Sequence, residues 1–325
     1  MSPVGWLLAA VAVAYGCAAL APILRLRAPG VVAIWAVWCL VPLILACPLL
    51  IPAGNVGLRA VSATVSGDLA FKIVDYFRRW DRFDRSDRLR NYHRLLIPFP
   101  VFAVIHPDHR RRFPRQRPVW PDVLRLGLGV VGFVAAILTL NTLTSGARMR
   151  SNFTLNHLAT LITFIVAIES VSRAFHGLER LAGFDTTPII RNAYRSRTVS
   201  EFWRRYNARI HDWLYRNVFL TTGGRHAPAR SVVMVFLVSG ALHELMFGIA
   251  TSRFTGYQFA FFALQAPAAL ASGRLERLAR QGGITGQIVA HGSTILFMAV
   301  TSVLFFDGVR RVFPFIHASE SPLPW

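Results

Sequence analysis

Seven apolar runs of about twenty residues recur along the chain, at roughly 4–24, 30–52, 121–141, 153–172, 230–250, 257–273 and 287–306. Each is long enough to cross some 30 Å of hydrocarbon as a helix. A backbone in lipid must satisfy its own N–H and C=O groups, so such runs predict helices packed into a bundle. Hydrophobic residues are 54% of the 325 and charged ones only 16%, which excludes an ordinary soluble enzyme. The first run lacks a basic n-region and is read as a retained helix rather than a cleaved leader. Cys17, Cys39 and Cys47 all fall inside apolar runs and read as small buried side chains, not disulfide partners or metal ligands.

The net charge is +20, and because Lys72 is the only lysine it is almost all arginine. The arginines concentrate between the apolar runs, at about 78–118 and 173–229. No nucleic-acid-binding motif accompanies them, so nucleic acid is not an expected partner. Membrane lipids are, and the positive-inside rule puts both stretches on the cytoplasmic side. Arg25 and Arg27 also belong there, which demands one more crossing between residues 53 and 78. The stretch 57–77 is the candidate, yet it carries Arg59, Asp68, Lys72 and Asp75. It crosses only if packed against other helices, and a re-entrant or interfacial helix is the alternative. The expected architecture is therefore all-α: a polytopic transmembrane helical bundle of about seven to nine membrane helices with re-entrant or interfacial additions, forming a single membrane domain over 1–325.

Within the fifth run, His243 lies thirteen residues beyond Arg230, about 20 Å into the membrane at 1.5 Å per residue. Glu244 follows at once. Ionisable groups at that depth are costly unless they face protein, ligand or water. The neighbouring Ser239, Gly240 and Ala241 allow close helix approach or a substrate channel. Imidazole can take a proton from a hydroxyl near neutral pH, although a helix-packing histidine or a proton-coupled transporter would also place one here. A second segment, TVSEFWRRYNARIHDWLYRNVF at 198–219, starts with the capping-box spacing Thr198 and Glu201. Phe202, Tyr206, Ile210 and Trp213 then recur at helical intervals, with Trp203, Asn207 and Leu214 on the neighbouring stripe. Such a helix either rests on the membrane surface or inserts in part, carrying Asn207 to a buried site while basic residues attract an anionic cosubstrate such as coenzyme A.

FWRRYN at 202–207 and SGALHELMFG at 239–248, with the lead-in FDTTPIIRNAYRSRTVSEFW at 184–203, resemble the membrane-bound O-acyltransferase family, and more closely its wax synthase-like branch. The resemblance is specific over about residues 184–250. From Phe202 to Asn207 the spacing is one residue shorter than the family form, with Tyr206 where many relatives have tryptophan. The resemblance implies an acyl-CoA-dependent O-acyltransferase with no bound cofactor or metal, acyl-CoA being the cosubstrate and a long-chain or other lipophilic alcohol the acceptor. It implies His243 as general base and Asn207 as a hydrogen-bond donor. Glu244, Trp203 and Tyr206 would support them, and Phe202, Arg204, Arg205 and Arg209 would flank the acyl-CoA entrance on the cytoplasmic side. Bacterial polysaccharide O-acetylating relatives of the same superfamily are the second resemblance, and they usually carry histidine in place of Asn207.

Other polar residues have plainer readings. Glu169 and His176, two helical turns apart, could line one cavity or hydrogen-bond between helices. HPDHRRR at 106–112 is too poor in ligands for a metal site. TTGG at 221–224 reads as a loop, and His291 in the last run has no partner in sequence.

Overall fold

The computed structural model describes residues 1–27, 30–82, 88–96, 117–146, 149 and 151–313; the stretch 106–112 lies outside them. The fold is helical throughout, with no extended strand among the described residues, and it divides into two compact units. The first comprises Met1–Arg112 and Glu244–Thr255, the second Phe113–His243 and Gly256–Trp325.

In the first unit, α1 (Pro3–Arg27) packs against α2 (Gly30–Ala46) and α3 (Val56–Phe77), and α4 (Arg88–Leu96) closes one end. Ala10, Ala14, Ala18 and Ala21 of α1 are fully buried. Their spacing puts them on one face, and their size lets neighbouring backbones come close. The charges of α3 all find partners inside the protein. Arg59 donates to the carbonyls of Ile51 (2.7 Å) and Ile249 (3.2 Å) and to the Ser252 hydroxyl (2.6 Å). Lys72 pairs with Asp68, and Arg79 with Asp75, both at 2.6 Å. The stretch 57–77 is thus a helix with its polar groups turned inward. Tyr92 donates to the Ala18 carbonyl at 2.6 Å, and Phe77 stacks on Trp80. The cysteines are free, and the expectation of burial fails for one of them: Cys47 is buried and Cys17 half-buried, but Cys39 is exposed on α2. An apolar run cannot reveal which of its faces meets neighbours.

The second unit starts with an antiparallel pair, α5 (Trp120–Ser145) and α6 (Phe153–Leu181). They approach so closely at Gly177 that a Cβ there would lie 2.7 Å from the Leu126 nitrogen. Two short helices follow, α7 (Val199–Tyr206) and α8 (Ala208–Leu214), the latter running into a π turn at Tyr215–Phe219. Helix α9 (Pro228–Thr251) comes next and contributes its residues from Glu244 onward to the first unit. A hairpin of α10 (Tyr257–Gln281) and α11 (Gly283–Val312) completes the second unit. Six helices among the described residues are long and apolar enough to cross a membrane: α1, α2 with its 3-10 extension, α5, α6, α9 and α11. The protein is an integral, multi-pass, all-α membrane protein. The sequence expectation of seven clear spans included 257–273, which does form a helix. Gln258 and Gln265 lower its hydropathy, and both are buried: Gln258 donates to the Phe305 carbonyl at 2.8 Å, and Gln265 to Thr301 Oγ1 at 3.2 Å.

Candidate active site

One polar stripe on α6 organises the segment that follows it. Glu169, Ser172, His176 and Glu179 recur at intervals of three and four residues and so share a helix face. All four engage the loop between α6 and α7. Glu169 accepts from the Ala193 amide (2.9 Å) and Ser172 from the Ile190 amide (2.8 Å). His176 Nδ1 lies 3.4 Å from the Thr186 hydroxyl, which donates to Glu179 at 2.7 Å. Glu179 is fully buried and grips Arg209 of α8 with both oxygens, one of them at 2.7 Å, while Arg209 also donates to the Thr187 carbonyl at 2.7 Å. Glu169 and His176 thus line one cavity, as one of the two readings had it, while the bonds described for them go to the loop rather than to another membrane helix. Arg209, expected to flank the acyl-CoA entrance, is buried, its guanidinium held by a carboxylate and a carbonyl.

The loop in turn fixes the turn at Asn207. The sequence pattern suggests one helix through 198–219, but the chain breaks at Asn207, whose backbone leaves the helical region (φ −142°, ψ 75°). The Ala208 amide is diverted to the Ile189 carbonyl, and the Arg191 amide donates to the Arg205 carbonyl, each at 2.9 Å. Asn207 then caps α8, its Oδ1 accepting from the Ile210 amide at 3.3 Å. The amide nitrogen of its side chain has no partner among the described residues. At the far end of the loop, α11 catches the backbone: His291 Nδ1 donates to the Ser196 carbonyl (2.8 Å), and Thr294 to the Arg197 carbonyl (2.9 Å).

Helix α7 begins with the expected cap. Thr198 Oγ1 accepts from the Glu201 amide at 3.1 Å, while Glu201 reaches back to the Arg197 amide, one residue earlier than the usual box, at 2.8 Å. Arg205 pairs with Glu201 at 2.6 Å, and Arg204 is exposed. Burial would raise the Glu201 carboxyl, but the Arg197 amide and the Arg205 charge outweigh it and hold the group below its ordinary value. Two outcomes follow. Thr198→Ala is expected to lower stability by about 1 kcal/mol. The Glu201 contribution is complete above its unfolded value of about 4.3, and it is lost as pH falls through the lower folded value. Thermal midpoints of the wild type should therefore fall more steeply on acidification than those of Glu201→Gln; parallel slopes would count against the cap.

The apolar face of α7 meets the histidine of α9 across a wall of rings. Phe202 stacks on Tyr206 (centroids 5.2 Å, 18°), and Trp203 lies 5.2 Å from the Phe262 ring. The Trp203 indole donates to the fully buried Gln265 at 3.3 Å. His243 lies against the same Phe262 ring, with centroids 4.2 Å apart, and Phe305 stands 6.3 Å away. Burial pushes the Tyr206 phenol up, and the charge of Glu169 adds to the effect, so it stays protonated. Gly240, one turn before His243, lets α10 approach: a Cβ there would lie 3.1 Å from the Phe259 carbonyl and from Phe262 Cβ.

His243 Nδ1 lies 2.8 Å from the Ser239 carbonyl, which can only accept, so Nδ1 carries the proton and Nε2 presents a lone pair. No group among the described residues hydrogen-bonds Nε2. Glu244, expected to support His243, is held elsewhere by at least one bond. Its carboxylate accepts from the Thr255 amide at 2.8 Å, and the tautomer of His243 is set by its own helix. Asn207 and His243 are not hydrogen-bonded to each other; Trp203 and Phe262 link their segments. The loop bonds to α6 are what sequence reasoning missed, although the spacing of Glu169, Ser172, His176 and Glu179 was a readable signal.

A sequence profile described as MBOAT, membrane-bound O-acyltransferase family, matches residues 130–304. Among characterised proteins, the chain is similar to diacylglycerol O-acyltransferase 1C of Glycine max, 25% identical over 135 residues, covering 41% of this chain and 26% of that one. It is 27% identical over 148 residues to probable sterol O-acyltransferase 2 of Schizosaccharomyces pombe, covering 46% and 30%. With diacylglycerol O-acyltransferase 1 of Bos taurus it shares 30% identity over 125 residues, covering 38% and 24%. The matches thus span less than a third of the length of each of these relatives.

Proposed function

Because the chain belongs to the membrane-bound O-acyltransferase family, we propose that it transfers an acyl group from acyl-CoA to the hydroxyl of a lipophilic alcohol, with His243 as general base. The observation that carries this reading is the Nδ1 bond to the Ser239 carbonyl, which leaves Nε2 as an unprotonated base facing aromatic side chains. In the proposed step, Nε2 takes the proton of the acceptor hydroxyl as its oxygen attacks the thioester carbonyl. The C–S bond breaks, and the departing coenzyme A sulfur receives the proton back from the imidazolium. No covalent acyl-enzyme is required, and the step calls for no cofactor or metal. The side-chain amide of Asn207, free to donate, would stabilise the developing oxyanion. The arginine-rich stretches and the FWRRYN segment would face the cytoplasm, where acyl-CoA is found.

The ring wall of Trp203, Phe262 and Phe305 favours an apolar acceptor over a polysaccharide. A long-chain alcohol is the first choice, and the names of the relatives add diacylglycerol and sterol to the panel. The test is purified protein in proteoliposomes with labelled acyl-CoA and these three alcohols; absence of ester with every pair defeats the proposal. Asn207 has its own test. Asn207→Asp keeps an oxygen to cap α8 but loses the N–H donor. Activity should drop by about 100-fold, the loss seen for single oxyanion donors, with unfolding unchanged; unaltered activity removes Asn207 from the mechanism.

A further inference from the structure

Between α5 and the loop that caps the α6 stripe lies a cavity of about 520 Å³, within the size range of small-ligand sites. Its walls are of two kinds. Leu124, Leu128 and Ile190 give an apolar side, while Arg125, Arg173 and Arg191 bring three guanidinium groups to the same space, against the single carboxylate of Glu169. The positive excess follows from how the loop is held. Glu169 stands one turn before Arg173 and would ordinarily pair with it, but it turns to the Ala193 amide instead. Arg173 is left without an ion pair among the described residues, and so is Arg191, which acts on Asp212 only at longer range. Arg125 spends one nitrogen on Asp122, a carboxylate already shared with Arg180.

Arg173 and Arg191 are exposed, so an anion can reach them from outside, and planar guanidinium forks suit phosphate oxygens best. We propose that this cavity is a binding site for a phosphate group carried on an apolar body, the phosphate held by Arg173 and Arg191 with Arg125 beside them and the body lying on Leu124, Leu128 and Ile190. The chemistry fits an anionic phospholipid or the phosphates of a coenzyme A derivative. The site is separate from His243 and does not depend on the catalytic reading.

Native mass spectrometry of the full chain in detergent tests it, with phosphatidic acid, diacylglycerol and free coenzyme A as probes. Phosphatidic acid retention should weaken roughly tenfold in Arg173→Gln and Arg191→Gln and less in Arg173→Lys, which keeps the charge but not the fork. Diacylglycerol, which has the same body without the phosphate, should be indifferent to these changes. If coenzyme A rather than phosphatidic acid shows this arginine dependence, the phosphate comes from the soluble side and the site stands. If neither probe responds to the arginines, the inference is overturned. The assay involves no turnover, so His243→Ala protein should bind as the wild type does, and a failed acyl-transfer reaction would leave this result intact.

Discussion

Ester formation by His243→Ala is expected to fall by about 100- to 10,000-fold, the range attributed to a positioned general base. The loss should be in kcat rather than KM, because the imidazole lone pair acts on the proton in flight and not on the bound substrates. The fold should survive. Among the described residues His243 bonds only to a carbonyl of its own helix, so removing the ring leaves Ser239 with the ordinary backbone bond of an α-helix. His243→Gln serves as the stricter variant, since it can still donate to Ser239 yet cannot take a proton. Matched thermal unfolding with collapsed turnover supports the base; full turnover in either variant removes it.

The largest stability effect is expected at Glu179. Its carboxylate is fully buried and holds Arg209 with both oxygens while accepting from Thr186. Glu179→Ala strips a buried guanidinium of its carboxylate, a loss of about 3–5 kcal/mol for a broken buried pair. Removing both charges is a different matter. Glu179→Leu with Arg209→Met should recover much of that stability, since no uncompensated charge remains. Denaturation of the detergent-solubilised protein, followed by tryptophan fluorescence, measures both. A stable Glu179→Ala protein would show that the pair contributes little.

The helices and the two motif segments were legible because the signals are local: twenty apolar residues for a crossing, Thr198 and Glu201 for a helix start, an isolated His243 in a greasy run. What stayed hidden depends on partners remote in sequence. Nothing near Arg209 announces that Glu179, thirty residues earlier, will neutralise it. Adjacency suggested that Glu244 would tune His243, yet neighbours on a helix point about 100° apart, and the carboxylate turned to Thr255. The break at Asn207 was masked by an unbroken aromatic period. Only the diversion of the Ala208 amide to Ile189 exposes it.

The α6 stripe also sets an order of assembly. As the chain emerges from the ribosome, α6 presents Glu169, Ser172, His176 and Glu179 on one face toward its C-terminal end, before the residues that will bond them exist. The residues that cover this face arrive next: Thr186, Ile190 and Ala193 lie between seven and twenty-four positions from their partners. The loop acts as a solvent delivered by the chain itself. His291 and Thr294 are ninety-five and ninety-seven positions from their partners on the loop, so they can lock it only once α11 has been made. The FWRRYN segment is therefore expected to be docked first by its own loop and fastened afterwards, with α11 acting as its latch.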